Sequence, residues 1–398
     1  MKAQFVYYFL TLAGLVLLPL SVTGQKYAGR RVWVLKNEKM EVMIAPGGGH
    51  IASATLTSGR GAGLNPFWQP KWKSIEPAEW KSSLKDYGDP PEARLLASIL
   101  GHNICLDFFG SVSPAETAAG ITVHGEAPIQ TWKETATTGS SLTYGAALTK
   151  AQLKVTRQTA LTPNSSVLWI VESVENLGDF DRPIGWQQHP TIGRPFLEKG
   201  ASFFDAPATW CKTGPGSFSK GLRLKSGTEF QWPNAPGADG KTVNLREWPQ
   251  GDKSSDFIAT LMDPSREWAY FTAINRNKGL LIGYIWPRKE WPWLGIWEEN
   301  LFRSAKPWEQ REVTRGLEFG TTAFPEGRRA AIEMAQLHGV PTYRWIGAHE
   351  TQTISYGLFL APIPEGTTGV SDVQIVGDSI VIQLTGVKET IKLALKRP

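Results

Sequence analysis

The chain repeats short apolar or alternating runs that are bounded by glycine, proline, asparagine and aspartate. Alternation of apolar and polar residues is typical of a strand that buries one face. Such runs occupy residues 31–35, 40–44, 153–159, 167–174, 270–274, 280–286 and 380–384. Helical spacing is rare, and the one helix that the pattern predicts covers residues 330–338, with Pro341 ending it. The pattern therefore predicts an all-β protein built from antiparallel strands.

The organisation of the chain favours one domain over residues 25–398. No segment repeats at a fixed period, which disfavours a propeller or a solenoid. The segments richest in turn residues, 61–85, 214–217 and 233–251, lack the low complexity of a flexible linker. We expect them to be long loops on one domain, where binding residues are often found.

Residues 1–24 have the layout of a secretory signal peptide: Lys2 precedes an apolar run over residues 5–20, and Gly24 suits cleavage. We therefore expect an exported protein, periplasmic or secreted. An uncleaved membrane anchor is the alternative, but the run is barely long enough to span a bilayer. No later stretch is apolar enough to do so, so no membrane partner is expected after cleavage.

The charge distribution argues against a nucleic-acid partner. The chain carries 42 lysines and arginines against 37 aspartates and glutamates, and the basic residues occur singly or in pairs. The aromatic content is high, with 17 tryptophans among 398 residues. Aromatic rings fill β-sheet cores, which is one explanation for this content. Indole rings also stack on the apolar faces of sugars, so this composition in an exported protein favours the hypothesis of carbohydrate binding.

The two cysteines, Cys105 and Cys211, are too far apart in sequence to form a zinc motif. Export permits a disulfide between them, and a buried free thiol at Cys105 fits its apolar surroundings equally well. The chain also lacks a serine nucleophile elbow, a phosphate-binding loop and a helical zinc motif.

Three histidines lie in segments rich in glycine or proline, where a ligand can approach the backbone: His102, His124 and His189. Imidazole exchanges protons near neutral pH, although a hydrogen-bonded structural histidine is the alternative for each. Glu318 stands between Leu317 and Phe319. If the strand buries these two apolar residues, Glu318 points to the opposite face, toward a polar cavity or solvent.

Several motifs occur in a familiar order: a strand ending in Pro46-Gly47, the pair His124-Gly125, residues 174–178 leading to His189-Pro190, and Leu317-Glu318. This arrangement resembles the aldose 1-epimerase, or galactose mutarotase-like, superfamily over residues 32–384. The resemblance implies a supersandwich, in which two large antiparallel sheets pack face to face. It also implies that the ligand is a sugar or an oligosaccharide.

The resemblance assigns roles by motif. His124 corresponds to the histidine that contacts the sugar, His189 to the general acid and Glu318 to the general base. These groups would interconvert sugar anomers without a metal, nucleotide or redox cofactor. The expected substrate-binding residues are His102 and Gln188 for hydroxyl groups, Trp132 and Trp297 for stacking, and Glu298.

The chain departs from the family after His189, where residues 190–193 replace an aromatic residue and an asparagine, and after Glu318, where Phe-Gly replaces Thr-Gln. Asp263 is the one candidate for the family's substrate-binding aspartate. These departures leave the sugar open and keep a second hypothesis, a non-catalytic carbohydrate-binding module or accessory protein of polysaccharide breakdown. A lyase or hydrolase would need a Tyr/Arg set or paired carboxylates, and the adjacent Glu298 and Glu299 point to opposite faces of a strand.

Overall fold

The structure is a computed structural model that describes residues 24–89, 91–215, 223–248 and 253–397. The predicted signal peptide lies outside the described residues except for Gly24. Within the described ranges, no helix is both long enough and apolar enough to cross a membrane.

Two large antiparallel sheets dominate the described part of the chain. Sheet A has eight strands, which in spatial order are Ser202–Asp205, Trp268–Asn275, Leu280–Pro287, Thr351–Pro362, Val167–Asn176, Leu153–Leu161, Ser141–Leu148 and Lys133–Thr137. Sheet B has eleven, which are Glu229–Phe230, Ala208–Thr213, Ser254–Met262, Trp293–Asn300, Val313–Gly320, Arg182–Gly193, His102–Asp107, His50–Leu56, Met40–Ala45 and Trp33–Lys36, with Arg344–Ile346 paired to Arg182–Gly193.

The remaining elements are short. Three small hairpins pair Lys26–Tyr27 with Arg30–Arg31, Asn234–Pro236 with Thr242–Asn244, and Gln336–Leu337 with Val340–Pro341. The helical segments are Pro77–Glu79, Lys85–Tyr87, Ala93–Leu96, Pro114–Ala118, Ala127–Ile129 and Arg328–Met334. The predicted helix at 330–338 begins and ends earlier than expected, because Ala335 has a left-handed φ of 57° and the chain then enters a hairpin.

Strand alternation produces the main core between the two sheets. In sheet A, Leu168 and Ile170 face sheet B, and in sheet B, Leu317 and Phe319 face sheet A within the same buried cluster. The all-β supersandwich predicted from the sequence is therefore confirmed.

The outer face of sheet A is also covered. A three-stranded sheet of Gly369–Ile375, Ser379–Thr385 and Thr390–Ala394 packs on it, so that Val167 and Trp169, which alternate with the inner residues, join a second apolar cluster. That arrangement leaves the outer face of sheet B to the loops. The extent of the single domain, residues 25–398, stays a prediction.

Candidate functional site

The candidate site lies on the outer face of sheet B, where three neighbouring strands each contribute one side chain. Arg182–Gly193 carries His189, Val313–Gly320 carries Glu318 and Trp293–Asn300 carries Trp297. Because Leu317 and Phe319 are buried between the sheets, Glu318 points away from that core. Strand register therefore brings residues that are distant in sequence onto one surface.

His189 and Glu318 form a buried hydrogen-bonded pair. Nε2 of His189 lies 2.9 Å from Oε1 of Glu318, and the side chains are 5% and 2% exposed. An ionised carboxylate only accepts hydrogen bonds, so Nε2 carries the hydrogen. Nδ1 lies 3.0 Å from Oγ1 of Thr191, which fixes the orientation of the ring. The Thr191 hydroxyl can donate to Nδ1 or accept from it.

Gly316 makes room for this pair. A Cβ atom at Gly316 would lie 2.3 Å from Oε1 of Glu318 and 3.3 Å from Cε1 of His189. Real contacts to Cβ essentially never fall below about 3 Å, so any larger residue would displace the carboxylate. Glycine is thus required by close approach at this position, and its backbone is not in the left-handed region.

His124 enters the site from a tight turn. Its φ is 67°, an uncommon value for a non-glycine residue, and Gly125 follows with a φ of 85°. A Cβ atom at Gly125 would also lie 2.2 Å from the carbonyl oxygen of Leu106, so glycine is required there for both reasons. The ring stacks on Phe109 at a centroid distance of 5.4 Å and lies 5.2 Å from the His189 ring. The unusual backbone conformation is held at a candidate site, where such strain is often found.

The protonation state of His124 follows from its contacts. The backbone N–H of Gly110 donates to Nδ1 at 3.1 Å, so Nδ1 has no hydrogen. Burial lowers the pKa of His124 well below its ordinary value, and the neighbouring His189 and Arg303 side chains lower it further. The ring is therefore neutral with its hydrogen on Nε2, and it offers a ligand a fixed hydrogen-bond donor.

Two tryptophans and an arginine form another wall of the site. The Trp297 ring lies 6.2 Å from that of His189 and 5.8 Å from that of Trp308. The guanidinium of Arg303 lies 5.5 Å from the Trp297 centroid and 4.7 Å from the Trp308 centroid. Arg303 also pairs with Glu299 at 3.4 Å and with Glu92 at 3.5 Å.

These groups surround a cavity of about 150 Å³. His124, His189, Glu318 and Trp297 line it together, and so do Arg303 and Trp308 from the loop that follows Trp293–Asn300. Four predicted site residues thus meet at one cavity. A hydrogen-bonded histidine–glutamate pair can exchange protons with a ligand, and a neutral donor beside a flat aromatic surface can hold a polar ligand that has an apolar face.

Three other predicted residues, His102, Gln188 and Trp132, do not line the cavity but are buried in the space between the sheets. Nε2 of His102 lies 3.0 Å from Oε1 of Gln188, and its Nδ1 lies 2.8 Å from the Tyr284 hydroxyl. The indole of Trp132 donates to the Ala127 carbonyl oxygen at 3.1 Å.

This inter-sheet network is closed by Arg157 and Glu172 of sheet A. Arg157 donates to Gln188 at 2.9 Å and pairs with Glu172, while Gln188 donates to Glu172 at 2.7 Å. Burial lowers the pKa of His102 well below its ordinary value, and the Arg157 charge acts in the same direction. The residues hold the two sheets together through satisfied buried hydrogen bonds, and the structure does not place them at the candidate site.

Glu298 is also outside the cavity. It is buried on the inner face of its strand, where it pairs with Arg223 and Arg315. The nearby arginines lower the pKa of Glu298 against the opposing effect of burial. Asp263 likewise does not line the cavity; it accepts hydrogen bonds from Ser265 at the turn after Ser254–Met262.

Sequence reasoning missed several residues that line the cavity and one buried asparagine beside His189. Arg303 and Trp308 lie in a loop that carries no strand pattern, so their position depends on tertiary contacts. Asn103 is directly opposite His189 on the neighbouring strand and is fully buried, with no hydrogen-bond partner for its Nδ2 among the described residues. Alternation was the available signal, because it places Asn103 on the same face as His189 when His102 points inward.

The described ranges contain no group of three or more His, Cys, Asp or Glu side chains arranged to hold a metal ion. Cys105 and Cys211 are both free and buried. Burial raises the pKa of Cys211 to about 12. Burial and the charge of Glu318 raise the pKa of Cys105 well above its ordinary value.

Solved structures are similar to this chain over most of its length. A candidate aldose 1-epimerase from Klebsiella pneumoniae has a TM-score of 0.58 at 15% identity, covering 83% of this chain and 79% of its own. A galactose mutarotase-like protein from Clostridium acetobutylicum has a TM-score of 0.57 at 13% identity, covering 86% and 98%. The chain has the galactose mutarotase-like fold.

A third structure with this fold, a galactose mutarotase related enzyme from Lactobacillus acidophilus, has a TM-score of 0.52 at 12% identity and covers 84% of this chain and 99% of its own. By sequence alone, the chain matches no protein-family model and no curated protein at a significant level. At such low identity the galactose mutarotase-like fold is shared, while the chemistry must be argued from the site itself.

Proposed function

We propose that the cavity on sheet B binds a carbohydrate and interconverts its anomers, as an aldose 1-epimerase does. The observation that carries the proposal is the buried pair of His189 and Glu318, bonded at 2.9 Å on the floor of a cavity with an aromatic wall. The general similarity to candidate epimerases agrees with it. We also propose, from the leader pattern of residues 1–24, that the protein is exported to the periplasm or secreted.

In the proposed reaction, the Glu318 carboxylate removes the proton of the anomeric hydroxyl while the His189 imidazolium donates a proton to the ring oxygen. The bond between C1 and the ring oxygen breaks, and the open-chain aldehyde turns about the C1–C2 bond. Closure on the other face of C1 returns both protons, so His189 and Glu318 end in their starting states. Each proton transfer contributes about 10² to 10⁴ in rate.

The 2.9 Å contact sets a requirement on the bound state. His189 and Glu318 must act on two different oxygens of the sugar, so the ligand has to replace their mutual hydrogen bond with bonds to itself. His124 helps to orient the sugar, because its neutral Nε2–H donates to a hydroxyl without giving up the proton.

A non-catalytic carbohydrate-binding protein is the second candidate, and the same contact favours it. If His189 and Glu318 stay bonded to each other after a sugar enters, they are hydrogen-bonding groups and not an acid and a base. Binding would then rely on stacking against Trp297 and on the donor of His124.

Polarimetry of freshly dissolved aldoses separates the two candidates. If the proposal is right, the protein accelerates the approach to anomeric equilibrium, and Glu318→Gln lowers this rate by about 10² to 10⁴ with the melting temperature nearly unchanged. The exposed Glu333→Gln, on the helix Arg328–Met334, is the matched control and retains full activity. Tight sugar binding by calorimetry with no rate acceleration would establish the binding protein instead.

A further inference from the structure

One wall of the cavity is apolar and firmly packed. Leu95 and Leu96, from the helix Ala93–Leu96, line it together with Ile99 and Trp308. These side chains belong to a buried cluster that also contains Trp68 and Ile129, and Trp68 stacks on Trp308 with an interplanar angle of 7°. A wall that is part of a core does not rearrange easily to offer a backbone hydrogen bond.

The charged groups on the other walls are already used in pairs. His189 is bonded to Glu318, and Arg303 lies between Glu299 and Glu92. Oε1 of Glu299 further accepts from the backbone N–H of Arg303 at 3.0 Å. Among the described lining residues, Leu95, Leu96 and Ile99 thus form a continuous apolar part of the wall, while Glu92 at the start of the leucine helix is paired with Arg303.

A fully hydroxylated sugar is poorly matched to such a cavity. Placing a hydroxyl against an apolar wall removes it from water without a replacement hydrogen bond, which is unfavourable. A methyl group or a hydrogen at the same carbon is favoured there, because burial removes apolar surface from water.

We propose that the cavity selects a 6-deoxy sugar, whose C5 carries a methyl group facing Leu95, Leu96 and Ile99 in place of a hydroxymethyl group. This inference rests on the proposed carbohydrate binding and adds the substrate class. His189 and Glu318 would act at the anomeric carbon, while the apolar wall would contact the substituent on C5.

Matched sugars test the proposal directly. D-fucose and D-galactose, D-quinovose and D-glucose, and L-rhamnose and L-mannose differ within each pair only by the hydroxyl at C6. We expect the 6-deoxy member of at least one pair to have a kcat/KM and an affinity higher by about ten- to a hundredfold, measured by polarimetry and calorimetry on the full chain.

Substitution in the wall should reverse the selectivity. Ile99→Thr replaces an ethyl group of the apolar wall with a hydroxyl, which makes the wall more polar and less filled, so the preference within that pair should fall by about tenfold. Ile129→Thr is the matched control, because Ile129 belongs to the same buried cluster but does not line the cavity. It should lower the melting temperature similarly and leave the preference unchanged.

The outcomes separate this inference from the proposed function. If the hydroxylated sugar of every pair is handled as well as its 6-deoxy partner, or if Ile129→Thr changes the preference as much as Ile99→Thr, selection by the apolar wall is overturned while sugar turnover stands. If none of the six sugars is bound or turned over, the proposed function fails together with it.

Discussion

The substitution Gly316→Ala tests whether close packing positions the acid–base pair. Its Cβ atom would lie 2.3 Å from Oε1 of Glu318, whereas carbon and oxygen atoms in contact are ordinarily about 3.4 Å apart. The carboxylate must therefore move by about 1 Å, and the 2.9 Å bond to His189 cannot survive that movement unchanged. Gly316 does not have a left-handed φ, so alanine introduces no backbone strain of its own.

The expected loss follows from this displacement. A shift of about 1 Å in a catalytic group can lower a rate by about 10²-fold, so kcat/KM for anomer interconversion should fall by about that factor. Crowding a packed site costs about 1 to 3 kcal/mol, and the lower part of this range applies because the carboxylate can swing into the cavity. Polarimetry measures the rate, thermal unfolding measures the stability, and a crystal structure of the variant measures the displacement.

Gly283→Ala is the matched control. A Cβ atom at Gly283 would lie 2.3 Å from Cζ of Phe359, in a strand of sheet A that does not line the cavity. The clash is equally severe there, so stability should fall at least as much while kcat/KM stays within about twofold. If Gly316→Ala keeps the wild-type rate, or if both variants lose activity only in proportion to unfolding, the packing around Gly316 does not position the pair.

Three further predictions concern binding, pH and thiols. Trp297→Ala should weaken sugar binding by about tenfold in calorimetry with a smaller effect on kcat, because the indole stacks and does not exchange protons. Burial and the charge of Glu298 raise the pKa of Asp256 to about 6, above its unfolded value of 3.8. The folded protein therefore holds the Asp256 proton at a pH where the unfolded chain has lost it. The free energy of unfolding is full at low pH and falls as pH rises from about 4 to 6. Relative to Asp256→Asn, urea unfolding of the wild type should show a loss on the order of 2 to 3 kcal/mol across that window, and a constant difference would contradict the assignment. Cys105 and Cys211 should resist a thiol reagent in the native state and react only after denaturation.

The sequence carries most of the fold because alternation is a local property. The predicted runs 40–44, 167–174 and 280–286 lie within the strands Met40–Ala45, Val167–Asn176 and Leu280–Pro287. Sheet order is not local, since sheet A places Val167–Asn176 beside Thr351–Pro362. No local pattern predicts that pairing, and the resemblance to a known superfamily implies only two large antiparallel sheets packed face to face.

The same alternation decides which predicted residues can share a site. Gln188 and His189 are neighbours on one strand, so only one of them can face the cavity, and the same holds for Glu298 and Trp297. The structure places His189 and Trp297 outward and the other two inward. Period-two reasoning, applied to every adjacent pair, would have excluded Gln188 and Glu298 once His189 and Trp297 were chosen.

Strand residues and loop residues differ in how well the sequence predicts them. The proposed acid–base pair lies on strands and could be predicted, whereas the residues proposed to select the sugar lie in a loop and on a short helix and could not. Glu318 reaches the cavity because Leu317 and Phe319 are buried, and a slip of one residue in that strand would exchange these faces and expose both apolar side chains. The position of Glu318, the proposed base, is thus coupled to the stability of the core. Arg303 and Trp308 lie in a loop and Leu95 lies on a short helix, so their positions do not depend on the strand register of sheet B. If the proposed function holds, a change of sugar specificity therefore needs only the loop and helix residues to change, while His189 and Glu318 stay in register on the sheet.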